Sequence, residues 1–173
     1  MANVDNPRGF WPVRHLCGGE IRANEYTVTT GSTVYRGDLL KVVDAGTVEA
    51  SAANDGVIVL GVAAEYATDS ASSGGVKVLV YDDPYIVFGV QADTGTSVAA
   101  TGVFETANHV AGSGSTTTLI SGHEIDSSEI SGSSGAQLKV IGKINEPNND
   151  WGEHVDLEVL INEHLYKAAV AGV

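Results

Sequence analysis

The clearest alternation lies near the C-terminus. In VDLEVLIN, 155–162, Val155, Leu157, Val159 and Ile161 take one side and Asp156 and Glu158 the other, the period of a half-buried strand. QLKVIGKI, 137–144, reads as a second strand, and NEPNNDWGE, 145–153, as the long turn that joins the two into a hairpin. VKVLVY, 76–81, alternates around Lys77, and Asp82-Asp83-Pro84 breaks it. Residues 57–64 and 85–92 are nearly continuous apolar runs, the mark of strands buried on both faces. Strands are also predicted over 39–43 and 47–50, with turns at Asp44-Ala45-Gly46 and Asn54-Asp55-Gly56. A further β-rich pair flanks Gly31-Ser32. DSASSGG, 69–75, is a surface loop by composition. These elements predict a compact β-domain over about 27–92, and no convincing helix exceeds about two turns.

Two stretches break the pattern. Residues 112–137 are rich in Gly, Ser and Thr, the composition of a linker. Leu119, Ile120, Ile125 and Ile130 recur inside it, so it predicts an ordered, loop-rich excursion within about 100–136. One short helical turn is expected near Asp126 to Ile130, capped by Asp126 or Ser127. The other stretch is the N-terminus, ANVDNPRGFWPVRHLCGG, with neither helical nor strand period. Pro7 and Pro12 keep it extended, and Gly18-Gly19 ends it. The chain thus divides into an arm, 1–22, and a single β-rich body, 23–173, ending in the tail EHLYKAAVAGV, which either reaches a neighbour or frays.

Composition sharpens this division. The 173 residues carry a net charge of −13, 43% hydrophobic residues and 21 glycines, enough for a real core and suited to short strands and tight turns. Residues 1–41 hold five of the nine basic side chains (Arg8, Arg14, Arg22, Arg36, Lys41) against four acids (Asp5, Glu20, Glu25, Asp38), a balance of +1 that leaves −14 for the rest. Such a body repels nucleic acid. No apolar run suits a signal peptide or a membrane span, so a soluble chain made in a cytoplasm is expected. Ordering residues 2–19 costs about 1–2 kcal/mol per residue, more than burying Phe10 and Trp11 returns. The arm therefore needs further contacts, such as strand addition, on its own body or on another subunit.

Candidate chemistry is sparse. The single cysteine, Cys17, excludes an internal disulfide and a cysteine-based zinc site. His15, His109, His123, His154 and His164 form no i, i+4 pair, so no metal or other cofactor is expected. Asn148, Asp150 and Glu153 near Gly152 lack the spacing of a twelve-residue calcium loop and read as a turn. Neither a G-x-S-x-G nor a P-loop lysine is present, and nothing argues for an enzyme.

The N-terminal MANVDNPRGFWPVRHLCGG resembles that of the capsid cement, or decoration, proteins of tailed bacteriophages. The likeness continues through GDLLKVV and GVIVLGVAAEY, VLVYDDPYIVFGVQAD, GSGSTTTLISGHEIDSS and LKVIGKINEPNNDWGEHVDLEVLINEH, in order over nearly the whole chain. It departs at Cys17, where the family would place a small polar residue. The resemblance implies a mainly β protein with a β-barrel or jelly-roll-like body, a homotrimer on the outer surface of the virion. Its partner would be the major capsid protein, with the arm across neighbouring capsid subunits. By position, Arg8, Phe10, Trp11, Arg14 and His15 would make the capsid contact. Two alternatives stay open. One is a tail or fibre component. The other is a carbohydrate-binding jelly roll using Tyr66, Tyr81, Tyr85 or Trp151, although Tyr81 and Tyr85, flanking a turn, are expected to cap the core.

Overall fold

The structure, a computed structural model, describes residues 3–43, 46–54, 56–70 and 74–167. The predicted turns at 44–46 and 54–56, the 69–75 loop and the terminal tail therefore fall partly outside the described residues.

Strands are numbered in chain order. The predicted hairpin forms from β13 (Leu138–Lys143) and β14 (Asp156–Ile161), antiparallel, with a bulge between Val140 and Gly142. Its alternation holds: Val155, Leu157, Val159 and Ile161 are buried, while Asp156 and Glu158 sit half-buried on the other face. β9 (Ile86–Gln91), buried throughout, pairs with β14 from Gln91↔Asp156 to Phe88↔Val159. β1 (Trp11–His15) and β10 (Thr106–Ala107) close the edges of this five-stranded sheet, in the order β1-β9-β14-β13-β10. A second five-stranded sheet runs β2 (Asn24–Thr27), β8 (Lys77–Tyr81), β6 (Gly61–Ala63), β4 (Leu39–Val42) and β5 (Val48–Ala50). β3 (Thr33–Val34) pairs with β7 (Ala67–Thr68), and β11 (His109–Val110) with β12 (Glu124–Ile125). The fold is mainly β, and every strand ladder is antiparallel.

Two cores explain the continuous apolar runs. Leu39, Val59 and Val62 join Phe88, Leu157 and their neighbours between the two large sheets. Leu40, Leu60 and Ala63, one residue on, point the opposite way into a second core with Val28, Val34, Val78 and Val80. Successive side chains of a strand leave by opposite faces. A strand covered on both faces must therefore be apolar at every position.

The excursion is ordered and tied to the body. Ile125 is fully buried in the first core, and Ile130 packs against it. The predicted helical turn is a 3-10 turn, Ser127–Glu129, and the Asp126 side chain accepts from the Ser128 N–H. The N-terminus shows no strand period, yet part of it is a strand. Residues 3–22 lie on the body, and Trp11–His15 is a strand. Its pairing shifts register between Pro12 and Arg14, and this bulge erases the period of two that a regular strand would show.

Polar groups seam the interior. His109 and His123 are buried with ring centroids 4.7 Å apart. His123 Nδ1 accepts from the Leu39 N–H at 3.2 Å, so Nε2 carries the proton and faces Asp38 Oδ1 at 3.5 Å. His109 has the Gln137 side-chain oxygen at 2.7 Å from Nδ1 and the Ser51 carbonyl at 3.2 Å from Nε2. Two acceptors alone would favour an imidazolium. Burial first, then the neighbouring His123, outweigh them and push His109 down to about 4. Burial pushes His123 and His164 down to about 4 as well. Asp38 is raised above the usual carboxylate range by burial, against hydrogen bonds from Ser121 and Tyr35.

Candidate functional site

The N-terminal strand is fixed by side chains that the arm and the body each supply in half. Trp11 lies opposite Gly89, and its indole fills the space over that glycine. A Cβ added at Gly89 would sit 2.3 Å from Trp11 Cε2. Arg8 stacks on the Trp11 ring, 4.1 Å from its centroid, and its Nη2 donates to Asp156 at 2.7 Å. Arg14 Nη2 donates to Glu158, also at 2.7 Å. The two outward acids of β14 are thus the counter-ions of Arg8 and Arg14. Phe10, 3% exposed, enters the first core.

His15 organises the turn that follows. Its Nδ1 accepts from the N–H groups of Cys17 and Gly19, at 3.2 and 3.0 Å. Nε2 therefore carries the proton and faces Asp83 at 3.3 Å. The five residues singled out in the sequence are brought together along one segment. As placed, Phe10 and most of His15 are occupied within the molecule, and Arg8 and Arg14 already hold partners.

The outward groups of this region are others. Leu16 is 45% exposed and donates its N–H to the Tyr85 carbonyl at 2.8 Å. Tyr85 is 52% and Tyr166 55% exposed. With Arg22, Asn24 and Pro84, the two tyrosines rim a depression of about 330 Å³. Its floor is Asp82, whose two oxygens accept from Asn24 Nδ2 at 2.9 and 3.0 Å and from the Tyr26 hydroxyl at 2.5 Å. Tyr26 and Tyr166 hydroxyls lie 2.8 Å apart. Burial, then the hydrogen bond to Asp82, raise the Tyr26 phenol far above its ordinary value. The hydrogen bonds from Asn24 and Tyr26 fix the Asp82 side chain in place. At the other end of β1, Arg8, Trp11, Pro12, Arg36, Tyr81 and Glu146 line a groove of about 550 Å³. Tyr81 packs against the core as expected, but Tyr85 does not. Among the described residues, the outer edge of β1, Leu16 and the tyrosine-rimmed depression leave strand edge and apolar side chains open to solvent.

Comparison with protein-family models and with curated proteins returns no match.

The fit of Trp11 over Gly89 predicts the effect of filling it. Gly89→Val displaces the indole and lowers stability by about 1–3 kcal/mol. Hydrogen exchange should speed at residues 11–15 more than in β13. Unchanged protection of 11–15 would mean that the indole does not hold the strand.

Proposed function

We propose that the protein is a capsid cement protein of a tailed bacteriophage. Made in the host cytoplasm, it binds the outer surface of the head and staples neighbouring major capsid subunits against the pressure of packaged DNA. The observation that carries this reading is the crowding of exposed apolar side chains on the N-terminal segment. Among the described residues, eleven large hydrophobic side chains are exposed, and four of them, Val4, Val13, Leu16 and Ile21, fall within residues 4–21. Tyr85 adjoins Leu16. Val13 on the edge strand β1, and Leu16 with Tyr85 just beyond it, offer an interaction surface. The homotrimer and the barrel or jelly-roll-like body implied by the family likeness belong to the same proposal. A trimer presents three such faces, and effective concentration multiplies individually weak contacts. The acidic body, facing outward, keeps particles apart.

The contact set is revised accordingly. Leu16 and Tyr85 are its apolar centre, and Arg14 and Trp11 its flank, whereas Phe10 serves the core. Purified full-length protein should co-sediment with expanded, undecorated heads to a saturable ratio. Leu16→Asp and Tyr85→Ser should weaken binding at least tenfold while the circular dichroism stays unchanged. Equal pelleting of both variants would remove the face from the proposal, and no pelleting of the wild type would end the cement reading.

A further inference from the structure

Asp5, Glu124 and His154 come from three remote parts of the chain: the segment before β1, strand β12, and the loop entering β14. Each turns one potential ligand atom to the same point, all within 4.8 Å of one another. Asp5 Oδ1 and His154 Nδ1 are 4.0 Å apart, too far for a hydrogen bond.

Two further observations mark the cluster. Glu124 Oε1 and His154 Nδ1 are sealed from solvent and have no hydrogen-bond partner. Buried polar atoms are nearly always paired, and both residues that carry these orphans belong to the cluster, where a bound cation would give them a partner. The frame around the cluster is also built. Asn3 Nδ2 donates to the carbonyls of Asp150 and Glu153, both at 2.8 Å, and Asn3 Oδ1 accepts from the Asp150 N–H at 3.0 Å. Gln91 accepts from the Asn6 N–H at 2.7 Å and donates to the carbonyls of Val4 and His154 at 3.2 and 3.1 Å. The backbone is thereby pinned on both sides of Asp5 and at His154. Glu124 is held by pairing with Val110 and by the buried Ile125 beside it.

We propose that Asp5, Glu124 and His154 bind a divalent transition-metal ion of the zinc class, which ties the N-terminal segment to the body. One imidazole nitrogen with two carboxylate oxygens is a donor set for Zn²⁺ and its first-row neighbours. Ca²⁺, which takes six to eight oxygens, is poorly served. Bonds of about 2.0–2.2 Å put tetrahedral donors about 3.3–3.6 Å apart. The 4.0 Å between Asp5 and His154 closes by about half an ångström, which the Asp5 side chain, 63% exposed, supplies. Its exposure leaves a fourth position to water. The site stands independently of the capsid reading.

The test is titration of the EDTA-stripped full-length chain with Zn²⁺ at pH 7.5, followed by calorimetry and thermal unfolding. One ion should bind per chain. At a hundredfold excess over Kd, Tm should rise by about 5 °C or more, and equal Mg²⁺ or Ca²⁺ should not reproduce the rise. Zn²⁺ should also slow hydrogen exchange over residues 3–8. Asp5→Asn, a change at an exposed side chain, and Glu124→Gln should each weaken binding at least tenfold. Absence of saturable binding, equal affinity in both variants, or an equal rise with Ca²⁺ would overturn the proposal.

Discussion

Phe10→Ala lowers the unfolding free energy by about 3–5 kcal/mol, the range for emptying a well-packed phenylalanine site. Phe10 is 3% exposed and belongs to the core between the two large sheets, with Leu39, Ile86 and Phe88. Its own N–H donates to the Gly37 carbonyl at 2.8 Å, so the backbone cannot follow a smaller side chain inward without losing that bond. Arg14→Ala, four residues on, breaks a partly exposed ion pair with Glu158 and should change stability by less than about 1 kcal/mol. Urea unfolding of the two variants separates anchor from ornament. A Phe10→Ala loss below about 1 kcal/mol would mean that the segment is not held by the core. A chain starting at Glu20 loses Phe10 and β1 together and bares the apolar edge of β9. It should aggregate rather than survive as a folded body lacking its anchor.

Acid should destabilise the protein steeply, beginning well above the carboxylate range. His109, His123 and His164 are each pushed down to about 4 in the native chain, against about 6.5 when unfolded. Between those values the unfolded chain takes up protons that the native chain refuses, so stability falls as pH falls. The loss begins near pH 6.5 and is complete near pH 4. It amounts to about 3 kcal/mol for each histidine. Asp38 and Glu124 work in the opposite sense. Their native values are raised, Glu124 to about 6 by burial and then by Asp5 and Asp93, so protonation stabilises the native form as pH falls. Two carboxyls offset part of three histidines. Three histidines outweigh the two carboxyls, so stability and Tm both fall from pH 7.5 to pH 4.0. Calorimetry at the two pH values measures it. A Tm that stays level would show that these imidazoles are open to water.

What the sequence revealed depended on whether a signal was local. The β13–β14 hairpin was legible because one face of β14 meets the core and the other the arm's arginines, which leaves a clean alternation. The Asp126 cap was legible because its bond closes over two residues. β1 was hidden, since Pro12 and the bulge beside it destroy the period, and its pairing partner lies more than seventy positions away. Residues 57–64 look like one strand, yet the ladder holds only Gly61–Ala63, because both faces are covered well beyond the paired part. At the candidate site, Arg8, Trp11, Arg14 and His15 stood out by charge and ring. Leu16 and Tyr166 did not, since an isolated apolar residue carries no mark of exposure. The Asp5, Glu124 and His154 cluster is beyond any spacing rule, because folding alone brings position 5 beside 124 and 154.

The order β1-β9-β14 has a consequence for synthesis. Residues 11–15 leave the ribosome well before β14 at 156–161, the last of the described strands, is made. At about 5–20 residues per second, the first strand waits roughly 7–30 s for the sheet's middle to exist. Through that interval Phe10, Trp11 and Leu16 have no sheet to join. The sheet's middle therefore forms only once β14 is made, and until then β1 is the strand most in need of a chaperone's shelter.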